Sequence, residues 1–165
     1  MGNVLMVAQQ DGVVYSLARN FMAGHAIAKV CAPFKADSMT AIRETLGHGD
    51  TLYIIGHGNT RKLGGYSPAE MATLLAKAGM PSGVAVELVA CNSGSSGAPY
   101  ALELKIQLVQ NKILPNGVSG GTGYMSVKSD GTTTVRKPDV PKGPGAHKPS
   151  TAKGMTYATT TTFNI

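Results

Sequence analysis

"LYIIGHGNT", residues 52–60, is an apolar run that stops at Gly56-His57-Gly58. Together with Thr51 it reads as a short buried strand, TLYIIG over 51–56, bounded by glycine. A histidine held between two glycines at the end of such a strand is a reactive group on a permissive backbone. The break recurs in "VELVACNSG", residues 86–94, where Cys91 takes the histidine's place. Two strands that end on these two residues raise the question whether both serve one site.

Working outward, "NVLMVAQ" (3–9) is a further apolar strand, ended by Gln10, Asp11 and Gly12. After it Val14, Leu17, Ala18, Phe21 and Met22 recur at helical spacing, and Gly24 is placed to end that helix before a second strand in "AIAKVCA". Residues 37–46 are expected as a short helix, capped by Asp37 or Ser38 and stopped by Gly47. "SPAE" (67–70) is a stronger start: Ser67 caps, Pro68 suits the first helical position and Glu70 completes a capping box, for a helix to about Lys77 that ends at Gly79. "VAVELVA" (84–90) is the next strand and 98–112 the next helix, with Leu102, Ile106 and Val109 on one face. Beyond it, "GVSGGTGYMSVKSDGTTTVRK" carries Ser-Asp-Gly between alternating stretches, a hairpin signal. Residues 138–154, rich in Pro, Gly and Lys, read as a mobile loop, and "MTYATTTTFNI" as a closing strand. Strands alternating with helices predict an α/β fold, a mostly parallel sheet with helices on both faces and a β-hairpin added near the C-terminus.

A length of 165 residues suits one domain, expected over 1–165, and too few residues remain for a second core. The net charge of +6 could signal nucleic acid, but the excess gathers towards the C-terminus without interleaved aromatics, so no nucleic-acid partner is expected. No apolar run is long enough to span a bilayer and no signal peptide is evident, so no membrane partner is expected either. Met6 stands where a myristoylation signal wants Ser or Thr. Cys31 and Cys91 form no Cys-x-x-Cys pair, and no metal site is expected.

In parallel sheets of this kind the ligand site lies beyond the carboxyl ends of the strands. There the first strand delivers Asp11, the third His57 and the fourth Cys91. A thiol becomes a nucleophile when an imidazole takes its proton, and a carboxylate can orient the imidazole. Gly56 and Gly58 leave room for a substrate near the backbone, and the Gly58 and Cys91 amides are candidate oxyanion donors. Each residue also has a plainer reading. A strand-end cysteine is often a small buried hydrophobe, and Asp before Gly is ordinary turn chemistry. Cys31 reads as core and His25 as a capping or surface residue. His48 precedes its strand and falls at the opposite sheet edge, and His147 has no recognisable partner.

The motifs "MVAQQDG", "LYIIGHG", "VELVACNSG" and "GVSGGTGYMSVKSDG" resemble, in order and strand-end placement, the self-processing cysteine protease domains of large bacterial toxins. These are the clostridial glucosylating and multifunctional RTX toxins, whose domains are distant relatives of caspases. The resemblance runs from about residue 3 to 137. It implies a caspase-like three-layer sandwich with Cys91 as nucleophile, His57 as its partner, Asp11 as the orienting acid and the hairpin at 118–137 as a flap. It implies a cysteine endopeptidase acting on a protein or peptide, itself or a target, as a toxin or effector in a target-cell cytosol. Inositol hexakisphosphate is the implied activator, with Lys128, Arg136 and Lys137 as candidate polyanion-binding residues and Lys142, Lys148 and Lys153 beyond them. The sequence departs from the family in a short interval between His57 and Cys91, in the absence of an arm before the first strand, and in Thr132, Thr133 and Thr134 where the toxins carry a basic pair. The competing expectations are a catalytically silent caspase-like binding module and nucleic-acid binding through the basic C-terminal region.

Overall fold

The computed structural model describes residues 1–91, 93–94, 99–121 and 123–136, and the backbone of 160–163. Six strands form the main sheet in the order β2-β1-β3-β4-β5-β8: β1 (Val4–Val7), β2 (Lys29–Cys31), β3 (Thr51–Ile55), β4 (Ala85–Val89), β5 (Gly117–Gly121) and β8 (Thr160–Phe163). All neighbours run parallel except β5 and β8. A separate antiparallel hairpin joins β6 (Tyr124–Val127) to β7 (Thr133–Arg136). The hairpin expected over 118–137 is therefore shorter, because its first segment, β5, pairs with β4 as a strand of the main sheet. The Ser-Asp-Gly turn lies where the sequence puts it, closed by Gly131 N–H donating to the Lys128 carbonyl.

Strand alternation divides the core in two. Val4, Met6, Leu52, Ile54, Val86, Leu88 and Val118 face one side and pack with α2 (Thr40–Thr45), α3 (Pro68–Lys77) and α4 (Tyr100–Gln110). Leu5, Val7, Ile55 and Val89 face the other, where α1 (Gly12–Gly24) covers them with Val14, Ala18 and Phe21. Val127 brings the hairpin onto this second face. With both faces covered, β1 is buried throughout and β3 and β4 each bury three of five residues, and each buried Leu or Ile contributes about 1.5–3 kcal/mol. Among the described residues no helix is long and apolar enough to cross a membrane.

Two local readings need correction. Residues 36–39 form a 3-10 turn before α2, and neither Asp37 nor Ser38 caps the helix with its side chain. Ser38 Oγ instead bonds the Ala32 amide at 2.9 Å and the Lys35 carbonyl at 2.7 Å, tying the turn back to the end of β2. In α4 the buried positions are Tyr100, Ala101, Leu104, Lys105 and Leu108, while Ile106 and Val109 are about 40% exposed. A lysine inside the inward stripe and apolar residues outside it make the helix's periodicity misleading. The capping box of α3 forms as read, with Ser67 Oγ accepting from Glu70 N and Glu70 reaching back to Ser67 N.

The loop after β4 crosses the end of β5 through small residues. Gly94 N–H donates to the Gly121 carbonyl at 2.8 Å, and a side chain at Gly94 or Gly120 would collide with the other segment. Buried Ser93 turns the chain there, its Oγ donating to the Ala90 carbonyl at 3.0 Å. The carboxyl end of β4 is thus held on both sides, by β3 and by β5.

Candidate active site

Register sets the site. Val7 pairs with Ile55 and Ile55 with Val89, so continuing two residues past these pairs brings Gln9, His57 and Cys91 level across three adjacent chains. Adjacent strands lie about 4.8 Å apart, within side-chain reach. Direct packing supports the alignment. A Cβ built on Gly58 would stand 2.7 Å from Ala90 Cβ and 3.0 Å from the Cys91 carbonyl, so only glycine lets these backbones approach so closely. Chain reversal beyond the strand is stitched by Gly64 N–H to the His57 carbonyl and Asn59 N–H to the Lys62 carbonyl, at 2.8 and 2.9 Å. Those bonds use the groups flanking Gly58 and leave the Gly58 amide on the other side, towards Cys91.

Asp11 sits one residue before α1 and caps it: its Oδ1 accepts from Val13 N at 2.9 Å and Val14 N at 3.1 Å. The same oxygen meets His57 Nε2 at 3.3 Å. The Val14 amide most of all, with the His57 ring and the Val13 amide adding to it, holds the carboxyl below the usual carboxylate range against the opposing pull of desolvation. Asp11 is therefore ionised at neutral pH. With Nε2–H donating to it, the imidazole keeps its free lone pair on Nδ1. The backbone of His57 is held separately, its N–H donating to Gln9 Oε1 at 3.0 Å.

Cys91 is half-buried, and its Sγ accepts from the Met125 amide at 3.3 Å. Since that N–H points at Cys91, it points away from β7, so β6 turns one edge to its partner strand and the other to the thiol. Gln9 and the Met125 amide were not singled out in the sequence. Gln9 had a signal, a polar residue level with His57 at the end of an apolar strand, whereas a backbone amide from a hairpin leaves none.

The remaining candidates lie elsewhere. His25 caps the end of α1, with Nδ1 2.9 Å from the Phe21 carbonyl and its ring stacked on Phe21 at 3.7 Å. His48 packs on Gly83 at the amino ends of β3 and β4, away from Cys91. Lys128 is in the hairpin turn and Arg136 ends β7, while Lys137, Lys142, His147, Lys148 and Lys153 lie outside the described residues. Between the end of α1, β4 and the hairpin is a concavity of about 470 Å³. The described residues that line it include His25, Glu87, Asp130, Thr132, Thr133 and Val135, but neither Lys128 nor Arg136. Glu87 and Asp130 place two carboxylates on its lining. Among the described residues no group of three His, Cys, Asp or Glu side chains is placed to hold a metal ion.

Strand-end histidine and cysteine in register, a capped carboxylate on the imidazole and a hairpin against the thiol form one arrangement from β1 to β7. The sequence profile of the Peptidase C80 family matches residues 2–136, the same span. The chain belongs to the Peptidase C80 family. This family comprises the cysteine protease domains of large clostridial toxins, and its fold is the caspase-like α/β sandwich seen here. Membership makes the chain a cysteine peptidase domain whose substrates are proteins or peptides. A comparison with curated protein sequences finds no match.

Proposed function

We propose that the chain is a cysteine endopeptidase in which Cys91 is the nucleophile, His57 the general base and acid, and Asp11 the residue that orients His57. The observation that carries this reading is the register that sets Cys91 level with His57 while Gly58 packs on the Cys91 backbone. In the first half-reaction His57 Nδ1 takes the thiol proton and Sγ bonds the scissile carbonyl carbon, whose π electrons move to oxygen. The Gly58 and Cys91 amides donate to that oxyanion. Collapse breaks the C–N bond, and the imidazolium returns its proton to the leaving amine. Water, deprotonated by His57, then attacks the thioester and releases the acid and the thiol.

A chloromethyl ketone peptide tests the assignment. It should alkylate the wild type at Cys91 and leave Cys91→Ala and His57→Ala unlabelled; equal labelling of Cys91→Ala would show that the nucleophile lies elsewhere. Absence of thiol-dependent turnover on a peptide library would favour a silent binding module. By family membership we also propose a toxin or effector role in a target-cell cytosol, cleaving itself or a host protein. Expression there should be toxic for wild type and harmless for Cys91→Ala, and equal toxicity would refute the role.

For the activator we propose turnover without inositol hexakisphosphate and at most weak, salt-sensitive polyanion binding. Glu87 and Asp130 in the concavity and the threonines at 132–134 support this. A ligand at a hundredfold excess over its Kd stabilises a protein by about 2.7 kcal/mol. A melting shift of that size at physiological salt, with activity only in its presence, would overturn the proposal.

A further inference from the structure

We infer that Gln9 is a positioning residue for His57 and, through it, for the oxyanion-binding amide of Gly58. This inference rests on the endopeptidase reading above. The main-chain ladder between β1 and β3 ends with Ala8 N–H donating to the Ile55 carbonyl at 2.9 Å. One residue later the Gln9 side chain takes over, Oε1 accepting the His57 N–H at 3.0 Å across the gap where the strands part. Gly56 lies against it: a Cβ there would touch Gln9 Oε1 at an ordinary 3.5 Å and crowd Ala8 Cβ and Leu63 Cδ2 at 3.3 Å.

The physical need for such an anchor follows from the sequence Gly56-His57-Gly58. Glycine on each side imposes almost no φ/ψ preference, so the peptide groups around His57 are free to turn unless something external fixes them. Three contacts do so. Gly64 N–H holds the His57 carbonyl at 2.8 Å, Asp11 holds the ring at 3.3 Å, and Gln9 holds the N–H. Removing the last frees rotation at Gly56, which swings the solvent-exposed imidazole and, one residue on, the Gly58 amide. Base and oxyanion donor then lose alignment together, while substrate contacts elsewhere are untouched.

The test compares Gln9→Met, which keeps the length and removes the acceptor, with Gln9→Glu, which keeps the acceptor and adds a negative charge. Gln9→Met should lower kcat ten- to a hundredfold with KM within about twofold, since misplacing a catalytic group by about 1 Å costs on the order of 10²-fold. Gln9→Glu should recover most of kcat and move the acid limb of kcat/KM to higher pH, because a nearby negative charge favours the imidazolium. Wild-type kcat in Gln9→Met, or a loss that Gln9→Glu does not rescue and that tracks a fallen melting temperature, would overturn the inference. Hydrogen exchange at the His57 amide gives a readout independent of turnover: protected in wild type and Gln9→Glu, fast in Gln9→Met. If no variant nor the wild type turns over peptide, the endopeptidase reading fails. If turnover is present and the His57 amide exchanges equally in all three, the Gln9 inference fails instead.

Discussion

Cys31 and Cys91 are the chain's two thiols, and both stand near the carboxyl end of a parallel strand, yet the fold treats them oppositely. Cys31 closes β2, pairs with Met6 and is about 1% exposed among Met6, Ile42 and their neighbours. Burial pushes its thiol up to about 12, so it stays protonated and inert at any physiological pH. Cys91 lies two residues past β4, beyond the core, with the His57-Gly58 chain on one side and the Met125 amide on its sulfur. Residue type is shared, but Cys31 ends its strand while Cys91 lies past its own. What differs is position within the sheet: β2 is an outer strand covered by α2, while β4 is central and its end meets the loops of both neighbours. Under the reading proposed above, reactivity is a property of where the strand stops, not of the cysteine.

The contrast is broken most severely by removing each thiol in turn. Cys91→Ala should lower kcat/KM by about 10³-fold or more with little change in melting temperature. Cys31→Ala should keep wild-type turnover and lose about 1 kcal/mol of stability to a small core cavity. Measuring both variants on one peptide substrate decides the matter, and a silent Cys31→Ala would invert the assignment. A gentler probe is iodoacetamide on the folded protein: Cys91 should react about a hundredfold faster than Cys31, with the ratio collapsing in denaturant, because only unfolding exposes the buried thiol. Peptide mapping by mass spectrometry reads both sites at once.

Gly58→Ala sharpens the comparison from the other side, by disturbing the neighbour that Cys31 lacks. The added methyl would stand 2.7 Å from Ala90 Cβ, forcing the ends of β3 and β4 apart. We expect about a ten- to hundredfold fall in kcat. Iodoacetamide labelling of Cys31 should be unchanged, and a simultaneous rise there would mean that the core itself had opened.

How much of this was legible beforehand depended on whether the signal was local. The strand ends at Gly56-His57-Gly58 and Ala90-Cys91 are written in consecutive residues, and the capping box at Ser67 likewise, so β3, β4 and α3 could be read directly. For Asp11 the turn reading and the role of acid towards His57 were both on offer from strand order and family resemblance, but its cap on α1 was not read. Its contact with His57 spans 46 positions and comes into being when β1 and β3 pair. The inward face of α4 was misread because Lys105 is buried while Ile106 and Val109 are not, an outcome decided by packing on α3 and β5 rather than by periodicity. The Met125 amide on Cys91 has no side-chain signature at all, since any residue at 125 supplies the same N–H.

The smallest effect concerns Asp11, which both caps α1 and meets His57. Its carboxyl is depressed in the folded protein, first by the Val14 amide and further by His57, so it binds its proton less readily than in the unfolded chain. The unfolded state therefore takes up the proton first as pH falls. The stability that Asp11 contributes is fully present above the ordinary carboxylate pKa of about 3.9 and is lost as pH drops from there through the depressed native value. Asp11→Asn keeps a side-chain oxygen for the Val13 and Val14 amides but carries no charge, so helix capping survives while the attraction to the helix N-terminus and to His57 is removed. At neutral pH the variant should melt slightly below wild type and turn over peptide about tenfold more slowly, its imidazole less firmly oriented. As pH falls through the acid window the two melting temperatures should converge, because the wild-type carboxyl becomes neutral as well. Melting curves recorded across that window test the sign directly: a gap that widens towards low pH would mean that Asp11 is not held ionised by its partners, and that its contact with His57 does nothing to orient the ring.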